Sequence, residues 1–360
     1  MTKKKRQSIK LGFDANPTGG PGIFMTRLKH ALEETGQFDV DNPDAWIQLC
    51  YRPLPEAIKN NRKIQKIIRI DGVYTQQHQF IYRPIKIQLP WLDRWKTIQK
   101  NKKKNKPIQE NLNKADALVF QSEFSRKVLH HFIQPTKPGH LIFNGVDPRI
   151  FKPARAYPNN PKHIHILISH AFRPLKRLHE AIQVTHALQK HLERSQSVTL
   201  HVVGHDDGQC FAHAKELMQT LTMSPNSVVF HGKQPFETLY ALYTRCHFFL
   251  GVSFWDFCPN VVVEALACGL PILGVDFGGI PELMGDAGIT IPESISVDYM
   301  DLDNINALPK IEPAAYVNAA IKILENLSDY QVLARERALC ALDIRTVAKQ
   351  YCAVSETQKS

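Results

Sequence analysis

Asp256 and Glu264 stand eight positions apart in DFCPNVVVEALACGLPI, a run otherwise apolar enough to vanish into a core. Two carboxylates so placed can grip hydroxyl groups if the residues between them form a helix that starts beside a ligand. Pro259 suits the first turn of such a helix and Gly269 the position just past its end, which predicts about three turns between the strand-like runs FFLGVS and PILGVD. Asn260, Glu264 and Cys268 then recur every four residues as one polar stripe, with Glu264 looking out of a mostly buried helix. Asp256 lies ahead of the helix, in a loop leaving the carboxyl end of a strand, where open α/β sheets bind their ligands. The helix-start backbone of Phe257, Cys258, Pro259 and Asn260 offers donors that attract phosphate or sugar oxygens. The bland alternative is a carboxylate that complements the helix dipole, plus a solvent-facing glutamate.

The elements that must position these acids follow a βα rhythm. IKLGFDA leads through a glycine-rich turn into IFMTRLKHALEE, and WIQLC, IIRID, ALVFQS and HLIFNGV continue the pattern to about residue 146. FKPARAYPNNPKH then reads as a linker. Beyond it the rhythm restarts with IHILISH, SVTLHVVG, SVVFHG, FFLGVS and PILGVD, and from about Pro313 the pattern is helical. Two Rossmann-like domains in tandem are expected, at 1–153 and 160–335, with residues 340–360 crossing back onto the first. The mid-chain linker counts against a continuous (β/α)8 barrel.

A chain of 360 residues is more than one core usually serves. Seven cysteines at unrelated spacings, with no CxxC pair, argue against a disulfide framework and a zinc site. The N-terminus is basic but lacks the apolar run of a signal peptide, and no stretch approaches the roughly 18 apolar residues of a membrane span, so a cytoplasmic protein is expected. Net charge of +11 points towards anionic partners without choosing among them. LPWLDRWKTIQKNKKKNK, residues 89–106, sets Trp91, Leu92, Trp95 and Ile98 at helical spacing beside a lysine run. Two readings stay open: a helix lying on an anionic bilayer at the inner face of a membrane, or a helix packed on its own domain and followed by a solvated lysine loop.

DFCPNVVVEALACGLPILGVDFGGIPEL resembles the donor-site signature of the retaining GT-B glycosyltransferases of glycosyltransferase family 4: an acidic residue, seven others, Glu, then Ala-x-Ala-x-Gly-x-Pro and a Gly-Gly-x-x-Glu turn. Asp256 stands where that family usually has Glu. NGVDPRIFKP, LHVVGHD, VVFHGK and TGGPGIF are similar to further family segments in the right order. The resemblance implies a GT-B fold, two Rossmann-like parallel-sheet domains facing each other across a cleft, with a C-terminal helix crossing back. It implies a sugar site at Asp256 and a ribose site at Glu264. The glycine cluster, Gly19, Gly20 and Gly22, frees the backbone to approach a diphosphate at a helix beginning near Ile23. SHAFRPLKRL supplies the cations that the family places on the departing diphosphate: Lys176 matches the family lysine, and Arg173 or Arg177 its arginine. Without the resemblance these would be solvated charges. RIDG offers Asp71 on the acceptor side, with His78 as the weaker candidate.

The implied activity is sugar transfer, with retained anomeric configuration, from a nucleotide-diphosphate sugar (UDP, GDP or ADP undetermined) to a hydroxyl of a glycan, lipid or other acceptor. The departing phosphate would assist on the same face, so neither a metal nor another cofactor is expected. Two competing readings are a nucleic-acid or anionic-surface binder, motivated by KKKR and KNKKKNK, and a sugar-nucleotide binder that has lost catalysis. No RNA-binding signature accompanies the lysines, so no specific nucleic acid is expected. Asp39–Asp41 and Asp301–Asp303 spell DxD, but both read as solvated turns, and HIHIL implies no third ligand for a metal.

Overall fold

The computed structural model describes residues 8–12, 19–74, 91–137, 139–154, 161–193, 195–207, 209–293, 295–297 and 308–356. His78, Asp301 and Asp303 lie outside them.

The first lobe is a parallel sheet of β1 (Ile9–Gly12), β2 (Ala45–Leu49), β3 (Gln65–Ile70), β4 (Ala117–Phe120) and β5 (Gly139–Leu141), in that spatial order. Its helices are α1 (Gly19–Glu34), the short α2 (Glu56–Lys59), α3 (Trp91–Lys114) and α4 (Glu123–Phe132). AWIQL and ALVF are buried along their whole length. That is the pattern of parallel strands covered on both faces.

The second lobe opens with β6 (His163–Ser169), α5 (Leu178–His191), β7 (Ser197–Val203), α6 (Cys210–Thr220), β8 (Val228–Gly232) and α7 (Phe236–Arg245). It continues with β9 (Phe248–Gly251), α8 (Asn260–Ala267), β10 (Ile272–Asp276), α9 (Ile280–Met284) and β11 (Gly288–Pro292). The spatial order is β11-β10-β9-β6-β7-β8, so the chain builds outward from β6 to one side and returns to build outward from β9 on the other. All pairings are parallel. The strand order therefore reverses between β6 and β9, and a crevice opens at the carboxyl ends of such a pair.

Three more helices follow: α10 (Pro313–Glu325), α11 (Leu327–Ala341) and α12 (Ile344–Glu356). Tyr351, Val347 and Ala348 of α12 join Phe24 and Leu28 of α1 in the outer core of the first lobe, so the C-terminal helix crosses back as expected. The two crossings are tied together, because Val146 donates to the Leu342 carbonyl and Ile344 to the Val146 carbonyl, both at 2.9 Å. Arg335 on α11 pins the same junction by donating to the carbonyls of Pro148, Phe151 and Ala267. Another cluster, which includes Ile68, Phe124, Trp255, Phe257 and Val263, runs without interruption from one lobe into the other.

Two local expectations are corrected, on the glycine cluster and on the helix behind Asp256, and an alternative left open for the lysine run is decided. The glycine cluster is the first turn of α1, which starts at Gly19 rather than near Ile23. The lysine run is helical: α3 continues through it and through Pro107 for 24 residues. The helix behind Asp256 is eight residues long, about two turns, because Pro259 caps it from outside rather than starting it.

Candidate functional site

The site is built from the two segments that leave the carboxyl ends of β6 and β9. The segment after β6 is extended to Arg173, makes one tight turn over Pro174–Lys176, and enters α5 through Arg177 in the left-handed region. The segment after β9 carries Ser253, Phe254, Trp255 and Asp256 to the start of α8. Trp255 has φ +63, a conformation bulky side chains rarely adopt. Its ring packs against Phe254, Phe257, Phe277 and, across the lobes, edge-on against Phe124. The strained residue thus sits beside Asp256 with its ring clamped on several sides.

Lys176 and Asp256, 80 positions apart, meet here: the ammonium donates to Asp256 Oδ2 at 2.5 Å, with 22% and 19% of the side chains exposed. Ser253 Oγ donates to the same oxygen at 3.2 Å. Burial alone would push the Asp256 carboxyl up. The charge of Lys176, with the hydrogen bonds from Lys176 and Ser253, outweighs burial and holds it below the usual carboxylate value. Asp256 is therefore an anion at neutral pH. The loop is held from behind, where Gly279 N–H donates to the Asp256 carbonyl at 2.7 Å and a Cβ on Gly279 would fall 1.8 Å from the Phe257 carbonyl oxygen.

Arg173 lies on the outer side of the turn, more than half exposed, with its guanidinium on Asp207 at 2.9 Å. Arg177 is corrected as an alternative cation: its side chain is fully buried, paired with Glu293, and donates to the Pro309 carbonyl. It fastens the second lobe internally.

Glu264 does not look out as the polar stripe suggested. It is 6% exposed, and its two oxygens accept from Arg27 Nη2 at 2.5 Å and from Tyr243 Oη at 2.8 Å. Arg27 comes from α1 in the other lobe. Asn260, one turn ahead on the same stripe, donates to the Gly20 carbonyl at 2.8 Å and accepts from Asn144 at 2.9 Å. Asn144 also donates to the Cys258 carbonyl, and its own backbone N–H points to Cys258 Sγ. In this structure the stripe faces the first lobe, so Gly20, Asn260 and Glu264 line a lobe-to-lobe contact. Gly22 is buried within α1, and Phe257 lies against Gly72 and Phe124.

Asp71, at the end of β3, is almost wholly buried and paired with Arg69; Gln121 donates to its Oδ1 at 3.0 Å, and its Oδ2 has no hydrogen-bond partner. Glu282, the glutamate of the Gly-Gly-x-x-Glu turn, reaches across to the first lobe. It accepts from the backbone N–H groups of Glu123 and Phe124 at 2.6 and 2.8 Å, at the start of α4. Among the described residues no group of three or more His, Cys, Asp or Glu is placed to hold a metal ion.

Arg27, Tyr243 and Ser253 were missed by sequence reasoning. Ser253 lies three residues before Asp256, so strand-end position could have flagged it, whereas nothing local to Arg27 marks it as the partner of a residue 237 positions away.

An anion held by a cation where strand order reverses fits a ligand of mixed charge. Residues 152–300 match the family model for glycosyl transferases group 1. The fold is that of GT-B glycosyltransferase structures. Sucrose-phosphate synthase from Thermosynechococcus elongatus superposes with TM-score 0.70 at 16% identity, covering 97% of this chain and 98% of that one. Anabaena HepE in complex with UDP does so with TM-score 0.59 at 16% identity, covering 92% and 81%. In sequence, the chain is 27% identical over 194 residues to N-acetyl-alpha-D-glucosaminyl L-malate synthase of Bacillus anthracis, covering 51% of this chain and 48% of that protein. It is 26% identical over 225 residues to a phosphatidylinositol N-acetylglucosaminyltransferase component of Arabidopsis thaliana, covering 61% and 48%. The chain thus spans about half the length of each curated relative. The family match takes in β6 to β11, so Lys176, Asp256 and Glu264 all belong to the GT-B second lobe that carries it.

Proposed function

We propose that this protein is a retaining glycosyltransferase of family 4 type, moving a sugar from a nucleotide-diphosphate sugar to an acceptor hydroxyl. The observation that carries this reading is the Lys176–Asp256 pair at the β6/β9 reversal, with the start of α8 directly behind it. A donor that enters there offers Lys176 a diphosphate and Asp256 a sugar hydroxyl, replacing their contact with each other. Arg173 exchanges Asp207 for the same diphosphate at little cost, since exposed pairs contribute about 1 kcal/mol or less. Cations on the leaving group meet the largest electrostatic demand of the transfer, the charge that grows as the glycosidic bond breaks. The leaving phosphate oxygen then receives the acceptor proton on the face it departs from, so the reading needs neither a protein nucleophile nor a metal.

Asp71 Oδ2 is the acceptor-side contact in this account. Glu264 can take a ribose only after Arg27 yields, so donor entry is coupled to loosening of the lobe contact. Several of the structural neighbours are complexes with UDP, among them one also with GlcNAc, one with alpha-GlcNAc-glycerol and one with glucose, and both curated relatives are named for N-acetylglucosaminyl transfer. UDP-N-acetylglucosamine is therefore the first donor to try, ahead of GDP- and ADP-sugars.

The test is turnover with each donor, release of nucleoside diphosphate being followed with and without candidate glycan and lipid acceptors, and the product anomer being read by NMR. Release of the nucleotide with retained configuration in the presence of chelator is expected. Absence of turnover across all donors overturns the reading, an inverted product overturns retention, and activity that returns only with manganese overturns metal independence.

A peripheral membrane role at the cytoplasmic face is a second part of the proposal, supported by α3. Trp95 is 55% exposed there, and Lys96, Lys100, Lys102, Lys103 and Lys106 are exposed along the same helix. Among the described residues no helix is long and apolar enough to cross a membrane. Retention by liposomes rich in anionic lipid at low salt, lost at high salt, is expected; no retention at low salt contradicts it.

A further inference from the structure

We propose that His170 positions the sugar of the donor by a hydrogen bond through Nε2. This rests on the nucleotide-sugar reading above.

His170 is the first residue after β6, one of the two strands between which the sheet reverses order, and Ser253–Asp256 follow the other. Ligands of open sheets bind at this place. The residue is 8% exposed, and its Nε2 is buried without a hydrogen-bond partner. Buried polar nitrogens are nearly always paired, so an unpaired one at a ligand crevice calls for a partner that arrives with the ligand.

The side chain is not free to find another. Its backbone N–H donates to the Val203 carbonyl at 3.0 Å, and its carbonyl lies so near Gly204 that a Cβ there would fall 1.8 Å from the oxygen. The ring stands edge-on between Phe172 and Phe249, at interplanar angles of 85° and 78°. Lys176 and Asp256 are near enough for both charges to act on it. Burial first, and then the charge of Lys176, push the imidazole down to about 3, against the pull of Asp256. The ring is therefore neutral at physiological pH, with one N–H and one acceptor nitrogen. A sugar hydroxyl, donor and acceptor at once, satisfies Nε2 in either tautomer. A phosphate oxygen satisfies only the protonated nitrogen.

That difference sets the test: thermal unfolding of the full chain with UDP, and with UDP-N-acetylglucosamine and UDP-glucose. The parent is expected to gain more from a nucleotide sugar than from UDP. H170F keeps the UDP response and binds the nucleotide sugar roughly three- to tenfold more weakly, the range of one hydrogen bond. H170Q, which retains a donor and an acceptor, recovers part of the difference. If H170F does not fold, H170L poses the same question without a hydrogen-bonding group. An undiminished sugar response in H170F or H170L, or an equal loss of UDP and nucleotide-sugar binding, overturns the role of His170 alone. A parent that neither UDP nor the GDP and ADP counterparts stabilise overturns the glycosyl-transfer reading, and this inference with it.

Discussion

Arg27→Ala removes the cation from a carboxylate that lies between the lobes. The Arg27 and Glu264 side chains are 19% and 7% exposed, and the guanidinium also stacks on Phe151 at 5.3 Å. Deleting one partner of a buried pair costs about 3–5 kcal/mol, mainly because the remaining charge stays buried unpaired, and partial exposure of Arg27 places this case near 3 kcal/mol. With an unfolding entropy of about 2.1 cal/mol/K per residue, 3 kcal/mol lowers Tm by about 4 °C if both lobes melt together and about 8 °C if one lobe melts alone. Glu264 keeps Tyr243 as a donor, so Glu264→Gln combined with Arg27→Ala is expected to recover part of the loss. A double-mutant cycle on urea midpoints isolates the pair, with an expected coupling of about 1–3 kcal/mol. An Arg27→Ala variant within about 0.5 kcal/mol of the parent, the range of ordinary surface changes, refutes the claim that this contact holds the lobes together.

Glu282→Ala leaves two N–H groups at the start of α4 without their acceptor and is expected to cost about 1–2 kcal/mol, measured by urea unfolding; no change would mean that water serves α4 equally well. Gly279→Ala drives a methyl into the Phe257 carbonyl, so about 1–3 kcal/mol of stability should go together with nucleotide binding, because the same backbone holds Asp256; intact binding contradicts this. His165, His201 and His231 form a chain across β6, β7 and β8 with N···N distances of 3.0 and 2.9 Å. Burial, then the neighbouring histidines, push His201 down to about 4, so between pH 6.5 and 4 the unfolded chain binds more protons than the folded one and stability falls as pH falls. His201→Gln should flatten that part of the pH–stability curve, and an unchanged slope would place the proton uptake elsewhere.

Strand runs such as FFLGVS and PILGVD were legible because parallel strands covered on both faces are written as continuous apolar stretches. The signature from Asp256 to Glu282 was legible because its parts lie close in the chain. The partners of Glu264 were not, since a stripe of polar residues every four positions looks the same whether it faces solvent or a second lobe. Lobe closure decides which, and Arg27 carries no local mark of it. Whether the lysine run was helix or loop stayed open, because repulsion between like charges disfavours an isolated helix; in the fold α3 is anchored by buried Ile108 and Leu112 and by buried Asn111, which donates to the carbonyls of Cys50 and Arg52. The left-handed Trp255 was equally invisible, because only clamping of its ring by Phe124, Phe254 and Phe277 makes so costly a backbone tolerable.

Calorimetric titration of UDP-, GDP- and ADP-sugars into the parent and into Lys176→Ala tests the central claim most directly. One donor series is expected to bind the parent and to bind Lys176→Ala at least tenfold more weakly, a loss of about 1.4 kcal/mol, while the variant still unfolds cooperatively. Equal affinity in both proteins would mean that the diphosphate does not sit at the Lys176–Asp256 pair.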